Sequence, residues 1–560
     1  MSTKDIRVLV PTVAVLLSVG CALAHTHEAR PATAALAREI PRLLQVSCIP
    51  GLSMAVVQDG RVTWARAFGT VGDEVMTPLN TDTVFEAASL SKPVFAYLVL
   101  RLADRGEFDL DRPLHEMLEY PRAAGDERYK RITARIVLSH GTGFPDWGGE
   151  KLALRFDPGT NYGYSGEGFV YLQRVVEHVT GQSLEALARR EVFEPLGMRR
   201  SSYVWQQRFE GNAAYARNWL WRVAPANRYT PAEANAAASL LTTATDYARF
   251  VAAVMTGRGL SPTMWNEYLT PVRESGPGLG VALGIRVEER PGGRTFYHSG
   301  NNGRRFTSYM TGDIAQGLGF VYFTNGPNGT SLVEALASRV LGNDNPARNR
   351  ADYDRYDDPR LLALQSVQRA AVEGGSDAAR KQLDAISARE STRPTHDDLV
   401  QLGAFFSGRG LAPLAIEVLQ SADAPLALGR ALEAAGDLRG AIASYERALA
   451  TDPVAAQRQI QWTGERVAAR AHPVAVARQT LERDAGQYQQ QIVAIRDGRL
   501  YYRGAVTPES QLTPISKDLF EVDADPTQRI RFVGAESGPA AEIIGLNADG
   551  TMDEWPRSPM

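Results

Sequence analysis

Cysteine is scarce in this chain of 560 residues, which contains only Cys21 and Cys48. Cys21 lies in a segment that we expect to be removed, so Cys48 would be the one thiol of the mature protein. Neither an intramolecular disulfide nor a cysteine-based metal site is then expected, even in an oxidising compartment. Lysine is also rare: of the six in the chain, only Lys92 has a serine three positions before it.

Long apolar runs are absent as well. The apolar stretch near the start, Val8 to Val19, has about a dozen residues, whereas a membrane-spanning helix needs about 20. Lys4 and Arg7 precede it, and a small-x-small site ending at Ala24 follows it. This pattern predicts a signal peptide over residues 1–24 and a periplasmic or secreted protein with no integral membrane span. A lipoprotein anchored through Cys21 is the less favoured alternative.

Charge of one sign is not in excess, since the net charge is −3. This balance gives no electrostatic reason to expect a nucleic-acid partner. The chain also lacks the spacings typical of metal ligands, of phosphate loops and of dinucleotide-binding loops, so no cofactor is expected. Its length predicts two to four domains.

The first domain is predicted to span residues 30–345. A hairpin is expected at Gly51 to Gly69, around an Asp59-Gly60 turn, and a helix is expected to start near Ser89. Further helices are predicted at 166–190 and 243–257, and strands at 279–287, 294–299, 305–311 and 317–324. Strands at both ends with helices between them predict an α/β (α+β) domain, in which helices flank an antiparallel sheet.

The rest of the chain changes composition twice. A polar, turn-rich linker is predicted at 346–358, followed by an alanine-rich and leucine-rich helical domain at 359–480. Within it, Leu426 to Pro453 resembles one tetratricopeptide unit, with small residues where two helices would touch. Strand, Asp-Gly turn and strand patterns then predict a small all-β domain at 481–560. We expect the helical domain to offer a surface for a protein partner.

The stretch FEAASLSKPVF places Ser89 one helical turn before Lys92. Side chains at this spacing share a helix face, so the amine can reach the hydroxyl and activate it as a nucleophile. The alternative is an ordinary helix start, with a capping serine followed by a solvated lysine.

Two further stretches carry candidate residues. In FDPGTNYGYSGEGF, Tyr164 lies in a loop that enters a helix, and a nearby ammonium group would favour its phenolate form. In TFYHSGNNGRRFTSYM, a strand carries His298 and Gly300, and the N–H group of Asn301 would donate to an oxyanion. Taken alone, the first stretch is more typical of a core aromatic residue and the second of a surface strand.

In this order, the three motifs resemble those of the serine β-lactamase and penicillin-binding protein superfamily. The resemblance covers about residues 35 to 345, and it is closest to the class C branch with the family VIII esterases and D-amino-acid-specific peptidases. It implies the β-lactamase/transpeptidase-like fold, with Ser89 as the acyl-accepting nucleophile. Lys92 and Tyr164 would transfer its proton, and which of them is the base is left open. The N–H groups of Ser89 and Asn301 would form the oxyanion hole.

Two residues depart from the family pattern. Gly166 stands where an asparagine is usual, so an amide that would hold Lys92 or a substrate amide is missing. His298 replaces a lysine, so recognition of a β-lactam carboxylate is expected to be weaker and pH dependent. Arg304 or Arg305 would supply the missing charge.

We therefore expect an exported serine hydrolase acting through an acyl-enzyme on a small ester, peptide or β-lactam, with esterase or peptidase activity favoured over a dedicated β-lactamase. The first alternative is a binding or sensor protein that captures an acyl ligand without turnover. The second is a helical scaffold with an inactive domain. His140 is expected to be structural, and Asp146 and Trp147 either line the cleft or simply cap and pack.

Overall fold

We describe the protein from a computed structural model. The structure describes residues 33–558 except 74, 150, 218–229, 291–292, 303–304, 344–352, 354, 490, 505–508 and 535–537. The predicted signal peptide, Arg304 and most of the predicted linker lie outside the described residues.

The helices and strands follow one another in two sheet-containing parts separated by helices. The helices are α1 (Thr33–Val46), α2 (Ser91–Asp104), α3 (Ala134–Leu138), α4 (Gly166–Thr180), α5 (Leu184–Ala188), α6 (Glu194–Leu196), α7 (Ala244–Thr256), α8 (Pro262–Tyr268), α9 (Val333–Leu341), α10 (Pro359–Ser387), α11 (His396–Gly408), α12 (Ala412–Ser421), α13 (Pro425–Ala434), α14 (Leu438–Ala448), α15 (Pro453–Ala471) and α16 (Arg478–Asp484). The strands are β1 (Gly51–Gln58), β2 (Arg61–Gly69), β3 (Phe85–Glu86), β4 (Leu241–Thr242), β5 (Arg273–Gly276), β6 (Leu279–Val281), β7 (Arg286–Arg290), β8 (Gly293–Asn302), β9 (Phe306–Asp313), β10 (Leu318–Thr324), β11 (Gly486–Tyr488), β12 (Gln491–Arg496), β13 (Arg499–Arg503), β14 (Ser510–Pro514), β15 (Leu519–Val522), β16 (Asp525–Gly534), β17 (Ala540–Asn547) and β18 (Met552–Pro556).

The first sheet is antiparallel and has the strand order β2-β1-β10-β9-β8-β7-β6-β5. The predicted hairpin forms β1 and β2, and β10 pairs with β1, so strands from the two ends of the domain lie side by side near one edge of the sheet. Side chains alternate between the two faces of β1. Met54 and Val56 pack on one face with α1 and α9, whereas Ala55 and Val57 pack on the other with α2 and α7.

The predicted helix at Ser89 begins later than expected. Ser89 lies in a short 3-10 turn, Ala88–Leu90, and α2 starts only at Ser91. The residue capping α2 is Leu90, which makes no side-chain hydrogen bond to the helix. Ser89 therefore does not serve as a helix cap.

The predicted strand at 279–287 is interrupted. β6 ends at Val281 and β7 begins at Arg286, and between them Gly284 adopts a left-handed φ of 88°. The interruption brings Gly284 against α2, where a Cβ atom would lie 2.3 Å from the Cβ of Ala96. Glycine is required there because a side chain would clash with the helix that follows Ser89.

The helices beyond the first sheet pack against one another in chain order. α13 and α14 pack closely at Gly429, where a Cβ atom would lie 2.3 Å from the Tyr445 ring. This is the kind of small-residue contact expected from the sequence. Within the described residues, no helix combines the length and the apolar character needed to cross a bilayer.

The second sheet is an antiparallel meander, β11 to β18 in sequence order. A bridge between Tyr488 and Arg557 joins its two ends. The predicted boundary at 480/481 falls inside α16, whose Leu481 packs into the core of the second sheet.

Among the described residues, the second sheet contacts the first domain near Glu233 and near Gly149. Gln489 donates a hydrogen bond to Glu233 Oε1 at 2.9 Å. In addition, Gly550, in the β17–β18 turn, lies close to Gly149. A Cβ atom built on Gly149 would be 3.1 Å from the carbonyl oxygen of Gly550.

Candidate active site

Ser89 lies in a turn that is fixed from both sides. The N–H group of Ala87 donates to the carbonyl oxygen of Leu240 at 2.8 Å, and Ser308 Oγ donates to the carbonyl oxygen of Ala87 at 3.0 Å. Ala88 has a φ of 52°, which is uncommon for a residue with a side chain. Such strain persists only where the surroundings enforce it, and it is often found next to functional groups.

Lys92 is fully buried and points back to Ser89. Its Nζ lies 3.2 Å from Ser89 Oγ and 2.9 Å from the carbonyl oxygen of Ala237. Burial lowers the pKa of Lys92 from 10.5 to about 8, although the charge of Asp146 opposes this shift. A useful fraction of the lysine is then neutral near pH 7, as a base requires. The alternative of a solvated lysine does not hold in this structure.

Tyr164 completes the contacts of the serine. Its hydroxyl hydrogen-bonds to Ser89, and its ring centroid lies 4.8 Å from Lys92 Nζ. Burial raises the pKa of Tyr164 above its usual value. The expected phenolate is therefore disfavoured.

His140 supports this tyrosine from behind. Its ring stacks on the Tyr164 ring with centroids 4.4 Å apart, and its Nδ1 accepts a hydrogen bond from the Ser165 N–H group. Burial holds the pKa of His140 well below its ordinary value, so the ring is neutral. These contacts agree with the structural role expected from the sequence.

His298 is buried on β8, and its Nδ1 lies 2.7 Å from the carbonyl oxygen of Ser299. Because a carbonyl oxygen only accepts, we assign the N–H group to Nδ1, which leaves Nε2 as an acceptor. Burial, with the charges of Lys92 and Arg286, lowers the pKa of His298 to about 3. The expectation of a pH-dependent positive charge at this position is therefore wrong, since the ring stays neutral at ordinary pH.

Gly300 allows β8 to approach the serine turn. A Cβ atom there would lie 2.4 Å from Ser308 Oγ and 2.5 Å from the carbonyl oxygen of Ala87. Any side chain would push the strand away from the turn. Asn301, the next residue, pairs with Thr307 of β9 and lines the same cavity as Ser89. An oxyanion hole made by the N–H groups of Ser89 and Asn301 stays a prediction.

One cavity of about 260 Å³ brings most of these residues together. Its walls are formed by Ser89, Asp146, Tyr164, Arg286, Tyr297, His298, Ser299, Asn301 and Tyr353. The three sequence motifs, separated by up to about 200 residues, thus converge on a single opening. Among the described residues, no group of three or more His, Cys, Asp or Glu side chains is arranged to hold a metal ion.

Sequence reasoning missed the cationic residue of this cavity, Arg286. It lies opposite Tyr297 in the pairing of β7 with β8 and donates to the hydroxyl of Tyr162 at 3.3 Å. No motif surrounds it, so only its place on the sheet reveals it. Arg305, the expected source of charge, instead lies 3.7 Å from the buried carboxylate of Glu86.

Tyr353 was also missed, because it belongs to the segment predicted as a linker. It packs edge-on against Tyr309 at 5.9 Å and lines the cavity. Nearby, Arg355 forms an ion pair with Glu334 of α9 at 2.7 Å. This part of the predicted linker is thus packed on the first domain.

A serine paired with a buried lysine, with a tyrosine and a histidine-serine-glycine strand beside an antiparallel sheet, defines a protein of the β-lactamase and penicillin-binding type. The family comparison agrees: the model named Beta-lactamase matches residues 36–342. The chain belongs to this family of serine hydrolases, as its motifs predicted.

Three curated relatives show the range of the family. The chain is 32% identical to esterase EstB of Burkholderia gladioli, over 28% of this chain and 47% of the esterase. It is 27% identical to penicillin-binding protein 4 of Amycolatopsis lactamdurans, over 52% of this chain and 85% of that protein. It is 28% identical to a D-aminopeptidase of Gluconobacter oxydans, over 27% and 32% of the two chains. The matched segments therefore cover less than half of the esterase and of the peptidase.

Proposed function

We propose that this protein is an exported serine hydrolase that forms a covalent acyl-enzyme on Ser89 from a small ester or amide. The observation that carries the proposal is the 3.2 Å contact between Ser89 Oγ and the buried Nζ of Lys92. The relatives named as an esterase, a penicillin-binding protein and a D-aminopeptidase support an ester, peptide or β-lactam substrate.

In the acylation step, Ser89 Oγ bonds to the carbonyl carbon of the substrate while its proton passes to neutral Lys92. The carbonyl oxygen becomes an oxyanion facing the N–H groups of Ser89 and Asn301. The tetrahedral intermediate then collapses, the bond to the leaving group breaks, and the leaving group takes up a proton. Tyr164, a neutral phenol that hydrogen-bonds to Ser89, is placed to relay that proton from Lys92. In deacylation, a water oxygen bonds to the acyl carbon while a proton of the water passes to Lys92. The bond to Ser89 Oγ then breaks, and Ser89 takes up that proton.

Arg286 favours a substrate with a carboxylate that can reach it, although the carboxylate of Asp146 lines the same cavity. His298 is neutral, whereas Arg286 is a permanent cation lining the same wall. A carboxylate that reached Arg286 would gain a charge-assisted hydrogen bond. This favours a peptidase, or an esterase whose substrates carry a carboxylate on the leaving group. It also allows slow acylation by a β-lactam.

Export rests on the first 24 residues of the sequence. Expression of the full chain in a bacterium with a periplasm tests it: the protein recovered from the periplasm should begin at His25. An uncleaved protein recovered from the cytoplasm would contradict export. A lipid-modified Cys21 would show that the protein is anchored to a membrane and not secreted.

The acyl-enzyme is tested by the intact mass of the purified protein after brief exposure to a fluorophosphonate and, separately, to benzylpenicillin. We expect one adduct in the wild type and none in Ser89→Ala. The matched control is Ser91→Ala, whose buried Oγ donates to the carbonyl oxygen of Ala88 and does not face the cavity. This variant should still be labelled. No adduct in the wild type would overturn the proposal, and an ester adduct that never turns over would favour the binding or sensor alternative.

A further inference from the structure

We propose that Trp147 fills the volume that a side chain at position 166 would need, and that it thereby selects acyl groups without an amide substituent. The inference rests on the proposed acyl-enzyme function. It explains the departure at Gly166, where the family usually has an asparagine whose amide would hold Lys92 or a substrate amide.

Gly166 is not required by the conformation of the backbone. It is the first residue of α4, and its φ lies outside the left-handed range that favours glycine. Instead, a Cβ atom at this position would lie 2.9 Å from Cη2 of Trp147 and 3.0 Å from Cζ2. The carbonyl oxygen of Asp146 lies 3.0 Å from the same position, so the indole ring together with this backbone atom leaves no room for a side chain at 166 unless the ring moves.

The loop that carries Trp147 is held on both sides. The Gly148 N–H group donates to Glu167 Oε1 at 2.9 Å, and Arg122 donates to the carbonyl oxygens of Gly148 and Gly149 at 3.0 and 2.8 Å. Arg122 and Glu167 also form an ion pair at 2.7 Å, with the carboxylate 5% exposed.

Trp147 as a whole residue is still 44% exposed. The wall of a preformed binding site requires a fixed backbone and an accessible side chain, and Trp147 has both.

The ring also lies beside the catalytic pair. Its centroid is 6.0 Å from Lys92 Nζ, and the same Nζ is 3.2 Å from Ser89 Oγ. Phe169 lies 5.8 Å from the Nζ on another side. The carbonyl oxygen of Ala237 holds Lys92 in place of the asparagine amide that is usual in the family. An acyl group entering from this side therefore meets aromatic carbon where an amide would be usual.

The chemical consequence is a preference between acyl groups of equal length. An aliphatic acyl chain loses nothing on contacting an indole face, whereas a substrate amide loses its hydrogen bonds to water without full replacement. Sites that do not pair a polar group of a substrate discriminate against it. Trp147 is thus a specificity-determining residue.

The test compares p-nitrophenyl pentanoate with p-nitrophenyl N-acetylglycinate, which differ by an amide in place of two methylene groups. Each kcat/KM is divided by the rate of hydroxide hydrolysis of the same ester. We expect the wild type to prefer the pentanoate, and Trp147→Ala to lower that preference at least about tenfold. Gly166→Asn should lower activity on both esters, because the new side chain meets the ring. Trp147→Ala combined with Gly166→Asn should regain activity on the N-acetylglycinate beyond either single variant.

The control is Trp64→Ala, on the opposite face of the sheet, which should leave the preference unchanged. A preference that Trp147→Ala shifts by less than twofold, or a Gly166→Asn variant as active as the wild type, would overturn the inference. Fluorophosphonate labelling of the same proteins separates the two proposals. If the wild type is labelled but the preference does not move, only the role of Trp147 fails; if the wild type is not labelled, both fail.

Discussion

Lys92 donates a hydrogen bond from Nζ to the carbonyl oxygen of Ala237, although 145 residues separate them in the chain. The acceptor is a backbone atom in the segment just before β4, so its position is set by the fold and not by its side chain. This contact directs the amine toward Ser89 whether or not the lysine carries its third proton. The protonation state of Lys92 can therefore change without loss of its position.

Activity should follow the neutral fraction of Lys92. Because the pKa of this lysine is about 8, kcat/KM should rise nearly tenfold per pH unit from pH 6 toward 8 and level off above it. The measurement is kcat/KM for a neutral ester between pH 6 and 9.5. Lys92→Arg, which cannot lose its proton in this range, should be inactive throughout. A flat profile would show that the base is another group.

The same lysine should cost stability. Its pKa falls from 10.5 in the unfolded chain to about 8 in the folded one, so Lys92→Met should raise the free energy of unfolding near pH 7 by on the order of 2 kcal/mol, after allowing for lost hydrogen bonds. The unfolded chain binds more protons between these two values, so the cost is complete below pH 8 and is relieved as the pH rises toward 10.5.

Urea unfolding of both proteins at pH 7 and pH 9.5 measures this difference. The advantage of Lys92→Met should shrink at the higher pH. An advantage that is constant or grows with pH would contradict the burial of a charged lysine.

Tyr164→Phe separates the two proton-transfer groups. The change removes the hydroxyl that hydrogen-bonds to Ser89 but keeps the ring between Lys92 and His140. We expect kcat to fall about 100-fold, since a positioned proton relay contributes about that much. The rise in kcat/KM toward pH 8 should remain, because it belongs to Lys92. Loss of that rise in the variant would instead identify Tyr164 as the base.

Arg286→Gln tests recognition of a substrate carboxylate. The substrates are pentanoyl glycolate, whose leaving group carries a free carboxylate, and its neutral methyl ester. KM for the acid should rise about tenfold or more, as expected for loss of one charge-assisted hydrogen bond, while the methyl ester should change little. Arg290→Gln is the control, because Arg290 lies on the same strand and faces Asp313 at 3.9 Å. Equal effects on acid and methyl ester would rule out a direct role in carboxylate binding.

The sequence predicted the chemical groups better than their surroundings. The spacing of Ser89 and Lys92 follows from helix geometry, and the hairpin follows from the Asp59-Gly60 turn, so both were found where local pattern suffices. The predicted charge state of His298 was wrong because burial depends on the packing of several elements, which no local stretch of sequence encodes. The helix expected to start near Ser89 begins at Ser91, and contacts of Ala87 with Leu240 and Ser308 fix the separate turn that contains the serine.

Other features had no signal that a single sequence could supply. Arg286 is one of many arginines in the chain and becomes notable only through its position opposite Tyr297. The Ala237 carbonyl is a backbone atom, which every residue has. Tyr353 looked like part of a linker because its neighbours are polar and turn-rich. Arg286 and Tyr353 reach the cavity, and Ala237 reaches Lys92, through tertiary contacts between segments far apart in the chain.

The contacts of the last sheet with Glu233 and Gly149 set a condition for engineering this protein. Gly149 follows the loop of Trp147, and Glu233 precedes Ala237, so both contacts end on segments that flank Lys92. A chain trimmed after residue 345 to isolate the first domain would lose both contacts. Screening for new substrates therefore calls for the full-length protein, and the turn at Gly550 offers a remote position from which to tune the cleft.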